Sequence, residues 1–188
     1  LNGKQRELAS LIGEANRIVV FSGAGISTEC GIPDFRSPGG VWERFRPLDF
    51  KTFMSSEEAR REGLTRFLKI RDEVGPVTPG RGHKAAASWH AQGKLAGVIT
   101  QNIDGLHERS GIGPDRIVNL HGTSLQIICL SCGRITPTAD YFPTFNPDVD
   151  PRCDECDGLA RENAQAPCVE ANSGSQVNTR QDSASKPN

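Results

Sequence analysis

Arg17-Ile-Val-Val-Phe-Ser-Gly-Ala-Gly-Ile-Ser27 runs a β-branched apolar stretch directly into two glycines one residue apart. The run from Ile18 to Phe21 is short and continuous, the pattern of a strand covered on both faces in a parallel sheet. A glycine bend at the end of such a strand lets backbone pass close to a bound group, and the amides that follow are placed to hold pyrophosphate oxygens. The full Gly-x-Gly-x-x-Gly pattern is absent, since position 28 is Thr, and no acidic residue about 20 positions on closes a βαβ unit. On its own residues the bend has two readings: a phosphate-facing turn, or a plain tight turn from strand to loop.

Working outward, Lys4–Ala15 places Leu8, Leu11, Ile12 and Ala15 at helical spacing before the strand. Residues 28–55 are rich in Gly, Pro and Phe and read as a long ordered loop. Helices are expected over Glu57–Val74 and Lys84–Leu95, separated by the breakers Pro76, Pro79, Gly80 and Gly82. Gly97-Val-Ile-Thr100 and Arg116-Ile-Val-Asn-Leu120 read as further strands, and Ser124–Cys129 as a fourth leading into a cysteine-rich stretch. Strands alternating with helices predict an α/β fold: a partial Rossmann-like parallel sheet with helices on both faces over residues 1–123. Residues 159–188 lack aromatics and any apolar period, so a disordered tail is expected there.

The 188 residues suffice for one proper core with a small satellite module. With 22 basic and 23 acidic residues the formal charge is −1, which gives no footprint for nucleic acid or an anionic membrane. No apolar run reaches the roughly 20 residues needed to span a bilayer. The N-terminus lacks the charged-then-apolar pattern of a secretory signal, so a cytoplasmic location is expected.

Four of the six cysteines form two pairs, Cys129/Cys132 and Cys153/Cys156, with 20 residues between the inner members. Two such thiolate pairs close a tetrahedron around Zn²⁺, and four thiolates leave no position open for water. A zinc-binding module over residues 124–158, holding one structural ion, is therefore expected. Cys30 and Cys168 are left over.

Polar residues gather where strands are expected to end. Asp34, Phe35 and Arg36 lie in Gly31-Ile-Pro-Asp-Phe-Arg-Ser37 and suit either a polar ligand shielded by an aromatic ring or a solvated ion pair beside a core anchor. Gln101, Asn102 and Asp104 follow the second strand in Thr100-Gln-Asn-Ile-Asp-Gly-Leu-His107, more hydrogen-bonding side chains than a turn requires. His121 closes the third strand, and a histidine near its ordinary pKa is a natural general base.

In this order, Gly23-Ala-Gly-Ile-Ser27, Gly31–Ser37, Thr100–His107, Leu120-His-Gly122 and the two cysteine pairs resemble the sirtuin family of NAD-dependent protein deacylases, over roughly residues 4–158. The resemblance implies that Gly23, Ala24, Gly25 and Thr28 crowd the pyrophosphate of NAD, with Asp34, Phe35 and Arg36 in the loop that closes over it. It implies that Gln101, Asn102 and Asp104 form the nicotinamide and ribose pocket, and that His121 is the catalytic base and touches the cofactor. The implied reaction releases nicotinamide and passes the acyl group of an acetyl-lysine protein or peptide to ADP-ribose, His121 deprotonating a ribose hydroxyl. Members that prefer succinyl or malonyl groups carry a Tyr-x-x-Arg pair, for which this chain offers Leu68 and Arg71, so a neutral acyl group such as acetyl is expected.

Complete members continue past the last zinc cysteine with a peptide-pairing segment and with Gly-Thr-Ser and Asn motifs for the adenosine half. Those motifs do not occur here, so an uncovered apolar strand edge, no adenine pocket and an incomplete peptide cleft are expected. Three functions remain open: an NAD-dependent protein-lysine deacetylase, a non-catalytic zinc-stapled fragment, and an NAD glycohydrolase or ADP-ribosyltransferase using the same pocket. Only the last would release nicotinamide without consuming acyl-lysine.

Overall fold

A computed structural model describes residues 2–34, 38, 40, 48–74 and 76–164. Helix α1 (Gly3–Glu14) opens on a reciprocal cap: Asn2 Oδ1 accepts from the Gln5 amide at 2.9 Å, and Gln5 Oε1 accepts from the Asn2 amide at 2.8 Å. Strand β1 (Ile18–Ser22) and the one-turn helix α2 (Gly25–Thr28) follow. Past the loop come α3 (Phe50–Ser55), capped by the Asp49 carboxylate on the Thr52 amide, and α4 (Glu57–Val74). Then come α5 (Arg81–Ala91), β2 (Leu95–Thr100), α6 (Leu106–Arg109), a 3₁₀ turn (Pro114–Arg116) and β3 (Ile117–Asn119).

The three strands form a parallel sheet in the order β1-β2-β3. Val20 pairs with Val98 and Val98 with Ile117; at the carboxyl ends Ser22, Thr100 and Asn119 stand in one row. Parallel neighbours need crossovers, supplied by α2–α5 between β1 and β2 and by α6 between β2 and β3. One face of the sheet is a packed core. Ala86 of α5, Leu95, Val98 and Ile112 are buried, with Val20, Ala87, Trp89 and Ile117 packed around them. Burying Val98 and Ile112 stabilises the fold by about 1.5–3 kcal/mol each.

The opposite face is less covered at β1 and β3. Val19 and Phe21 of β1 are 61% and 64% exposed, and Val118 of β3 is 54% exposed. Ile18-Val-Val-Phe21 is therefore a half-covered strand: Ile18 and Val20 turn inward, while their neighbours stand on the outer face. A continuous apolar run fits that burial as well as a two-sided one, because each position alternates between faces.

Beyond β3 the chain changes architecture. Strand β4 (Gly122–Cys129) leaves the parallel sheet and becomes the centre of an antiparallel one, ordered β5-β4-β6, with β5 at Ile135–Pro137 and β6 at Ala160–Ala164. A short helix α7 (Thr138–Tyr141) and a 3₁₀ turn (Phe142–Thr144) sit between β5 and the second cysteine pair. Here the core is Leu64 of α4, Ile127 and Ala160, ringed by Phe67, Tyr141, Phe142 and Phe145. Strand β6 overturns the expectation of disorder from residue 159. Its burial comes from small residues, Ala160 and Ala164 at 2% and 6% exposed, and its order from pairing with β4, so it needs neither aromatics nor a long apolar run. The rest of the expected tail, residues 165–188, lies outside the described residues.

Candidate functional site

The carboxyl ends of β1, β2 and β3 open together, the position at which parallel α/β sheets bind ligands. Asn102, two residues past β2, is 5% exposed. Its Nδ2 donates to the Gly23 carbonyl at 3.2 Å and to Ser27 Oγ at 3.1 Å, so it ties the glycine bend to helix α2. Ser27 Oγ in turn donates to Asp104 Oδ2 at 2.6 Å, while Asp104 Oδ1 accepts from the Leu106 amide at 2.9 Å and caps α6. Asn102, Ser27 and Asp104 are thus one polar cluster, with the carboxylate aimed by two donors.

His121 enters the same region by backbone. The Leu120 amide donates to the Thr100 carbonyl at 2.9 Å, and the Ser124 amide donates to the Ile103 carbonyl at 2.8 Å. These two cross-links pin residues 121–123 against the loop that carries Asn102. His121 is half-buried there. Gly122 follows with φ +73°, and a side chain on it would run into the carbonyl oxygen of Asn163 in β6.

Gly23 and Gly25 provide the test of fit for a dinucleotide phosphate. Neither has a positive φ, and a Cβ at either would meet nothing within 4 Å. Among the described residues nothing crowds either position, which leaves the backbone open to close approach by an external group. Ala24 is the N-cap of α2 and presents no side-chain cap bond. These residues fit NAD phosphate.

The remaining expected contacts divide. Thr28 is exposed, and its hydroxyl turns back to donate to the Gly25 carbonyl at 2.9 Å, away from the polar cluster. Gln101 is exposed, its amide held by the Ser22 carbonyl at 3.0 Å. Asp34 is half-buried in the loop after α2, and Phe35 and Arg36 lie outside the described residues. Leu68 is half-buried on α4, and the Arg71 side chain lies outside the described residues.

The expected set omitted Ser27, Ser22, Thr100, His83 and His107. The hydroxyl of Ser27 sits two residues after the glycine pair, a spacing that one helical turn folds back over the bend. Below the cluster, Ser22 Oγ donates to Thr100 Oγ1 at 2.9 Å and lies 2.8 Å from His107 Nε2. His83 and His107 are 0% and 1% exposed, with ring centroids 4.9 Å apart. Burial pushes the pKa of each below the ordinary histidine value of 6.5, and for His107 the neighbouring His83 adds to the effect.

The cysteines meet as their spacing requires. All four Sγ atoms lie within 4.8 Å of one another, with Cys129 and Cys156 at 3.5 Å and Cys132 and Cys153 at 3.8 Å. A tetrahedron of Zn–S bonds of about 2.3 Å has edges of about 3.8 Å, so the cage fits one Zn²⁺. The Cys132 and Ser131 amides point at Cys129 Sγ, and such donors bring its pKa down to about 6, favouring the thiolate. Cys129 and Cys153 are buried, and Cys132 and Cys156 exposed.

A family model described as the Sir2 family matches residues 23–171. NAD-dependent protein deacetylase 1 of Bradyrhizobium diazoefficiens is 47% identical over 150 residues, covering 80% of this chain and 59% of that protein. A solved Sir2 homologue–NAD complex superposes with a TM-score of 0.70 at 31% identity, covering 85% of this chain and 60% of that one. A Sir2 complex with a deacetylated p53 peptide and 3′-O-acetyl ADP-ribose gives 0.68 at 30% identity, covering 86% and 64%. The chain spans about three-fifths of the length of these relatives. With the fold, the order of its motifs and the family match in agreement, this chain belongs to the Sir2 family.

Proposed function

We propose that this chain carries the catalytic half of an NAD-dependent protein-lysine deacetylase. The observation that supports this most is the meeting of the glycine bend, Ser27, Asn102, Asp104 and the His121 backbone at one end of the parallel sheet. NAD supplies a glycosidic bond to nicotinamide whose cleavage leaves ADP-ribose as the acyl acceptor. Gly23 and Gly25 let backbone lie against its phosphates, with Ala24 and Thr28 in the same turn. Asn102 and Asp104 orient the sugar, their own positions fixed by Ser27 and the α6 amide. The family resemblance adds Gln101, Asp34, Phe35 and Arg36 as further NAD contacts, Phe35 and Arg36 lying outside the described residues. His121 accepts a proton from a ribose hydroxyl on a ring nitrogen, a transfer typically worth about 10²–10⁴-fold. The zinc cage folds the β4–β6 module and takes no part in the chemistry.

The substrate is an acetyl-lysine protein or peptide. Apolar Leu68, where acid-preferring relatives place tyrosine, supports a neutral acyl group. A cytoplasmic setting suits four thiols kept reduced for zinc. Among the described residues no helix is long and apolar enough to cross a membrane.

A second reading, a zinc-stapled module without catalysis, is favoured by the exposed Val19, Phe21 and Val118. Calorimetry with NAD and an acetyl-peptide assay separate the two. The deacetylase reading requires NAD binding and consumption of acetyl-lysine that His121→Ala abolishes. Activity that survives His121→Ala removes histidine from the role of base. Nicotinamide release without loss of acyl-lysine indicates a glycohydrolase instead.

A further inference from the structure

Two buried histidine nitrogens, His83 Nε2 and His107 Nδ1, have no hydrogen-bond partner among the described residues. Such orphans normally cost about 1–3 kcal/mol each, so a fold that keeps two side by side raises the question of what they do. Their protonation can be read from donors whose hydrogens cannot move. The Gly80 amide donates to His83 Nδ1 at 3.3 Å, so a neutral His83 carries its proton on Nε2. At the other end the Asn102 amide donates to Thr100 Oγ1 at 3.0 Å, and Ser22 Oγ donates to the same oxygen. With Ser22 Oγ donating to Thr100, its oxygen is left to accept from His107 Nε2, 2.8 Å away. A neutral His107 then presents a bare Nδ1. The two orphans are therefore a donor and an acceptor, on rings tilted 59° to each other. With ring centroids 4.9 Å apart, a bond between them, direct or through one water, would satisfy both.

The donations run one way on either side of the ring pair, Gly80 amide to His83 and His107 to Ser22 to Thr100, which leaves the His83 Nε2–H to complete the chain at His107 Nδ1. The Thr100 oxygen also receives the amide of Asn102, whose side chain holds the Gly23 carbonyl and Ser27. We propose that His107 is a positioning residue for the NAD site, acting with His83 through this one-way chain to fix Asn102 and the glycine bend. The proposal rests on the deacetylase reading for its functional consequence, and on geometry alone for the chain itself.

The chain works only with both rings neutral. A proton on His107 Nδ1 would face the His83 Nε2–H, two buried donors head to head. Facing His83 are Cys30 Sγ at 4.0 Å and the carboxylates of Asp104 and Glu29; facing His107 are His83, Asp104 and Glu108. The carboxylates favour the charged rings, but burial outweighs them in both. Because the folded pKa values are depressed, an open state binds protons first. The chain is intact above pH 6.5 and is lost as pH falls through the lower folded values.

Long-range ¹H–¹⁵N spectra of the full chain read the tautomers directly, the four histidines assigned by single substitutions. Both His83 and His107 are expected as neutral Nε2–H tautomers at pH 7.5. An Nδ1–H tautomer or a cationic ring at His107 overturns the chain. In the second arm, His107→Leu removes the donor, whereas His107→Gln keeps an amide proton where Nε2–H stood. His107→Leu is expected to shift the Asn102 side-chain resonances and weaken NAD binding roughly tenfold, with His107→Gln staying within about threefold of the parent and losing part of the acid limb of the pH profile. Unmoved Asn102 resonances in His107→Leu overturn the proposal. If His107→Leu does not fold, the parent tautomers decide. If the parent binds no NAD, the deacetylase reading falls, and the tautomers and Asn102 resonances still judge the chain.

Discussion

Gly122 serves two neighbours at once. Its φ of +73° lies in the left-handed region, and any Cβ there would collide with the Asn163 carbonyl. It is also the residue that joins the candidate base His121 to strand β4. Gly122→Ala therefore asks for a strained backbone and pushes β6 away. The expected cost is roughly 2 kcal/mol or more by urea unfolding, with lost amide protection along Ala160–Ala164 in hydrogen exchange. Stability within a few tenths of the parent would mean that β6 does not pass over the base. At this scale the sequence told part of the story. That Asn102, Asp104 and His121 gather at one end of the sheet was legible, because all three follow expected strands. The turn of the Thr28 hydroxyl back to the Gly25 carbonyl was not legible. Ser22, Ser27 and His107 were hidden because their partners lie 75 to 85 residues away in sequence.

Among the elements, α4 and the zinc module are joined by one buried ion pair. Arg60, 7% exposed, donates from Nε to Asp150 Oδ1 at 2.6 Å and from its second terminal nitrogen to Oδ2 at 2.8 Å. Its remaining terminal nitrogen donates to the Phe53 carbonyl at 2.8 Å, which brings in α3, and Arg152 approaches Asp150 from the solvent side at 2.9 Å. Desolvation opposes the Asp150 charge, but Arg60 holds its pKa below the ordinary 3.8. That contribution is present above pH 3.8 and disappears as pH falls below it. Asp150→Asn strands a buried guanidinium and is expected to cost about 3 kcal/mol in chemical unfolding. Replacing both partners, Arg60→Met with Asp150→Leu, is expected to cost less than the single change. If the double change costs as much as the single one or more, the pair is a net stabiliser and the desolvation argument fails. This link was not legible, because neither residue belongs to a motif and 90 positions separate them. The zinc cage was legible, since two short pairs carry their geometry in their spacing. Strand β6 was not, because its order comes from β4 and not from its own composition.

Taken whole, the molecule is a parallel sheet with one finished face and one open one. Phe21, Ile99 and Val118 stand side by side across β1, β2 and β3 in register, with Val19 beside them, and Val19, Phe21 and Val118 are exposed. Contiguous exposed patches of this kind take up apolar probes and neighbouring molecules. The chain as it stands is expected to bind an apolar dye such as ANS, and Phe21→Glu to reduce the fluorescence by roughly half. An unchanged signal would place the apolar surface elsewhere. Periodicity gave the strands but not the coverage, since a run such as Ile18-Val-Val-Phe21 is compatible with one packed face or two.

Strand β4 also sets a length. It begins at Gly122, next to the imidazole, and ends at Cys129, the first thiolate of the cage. Seven steps of a strand at about 3.4 Å make a stiff rod of roughly 24 Å between them. A paramagnetic ion such as cobalt in the cage would sit at the far end of that rod, a built-in ruler for how near any molecule settles to the ring at position 121.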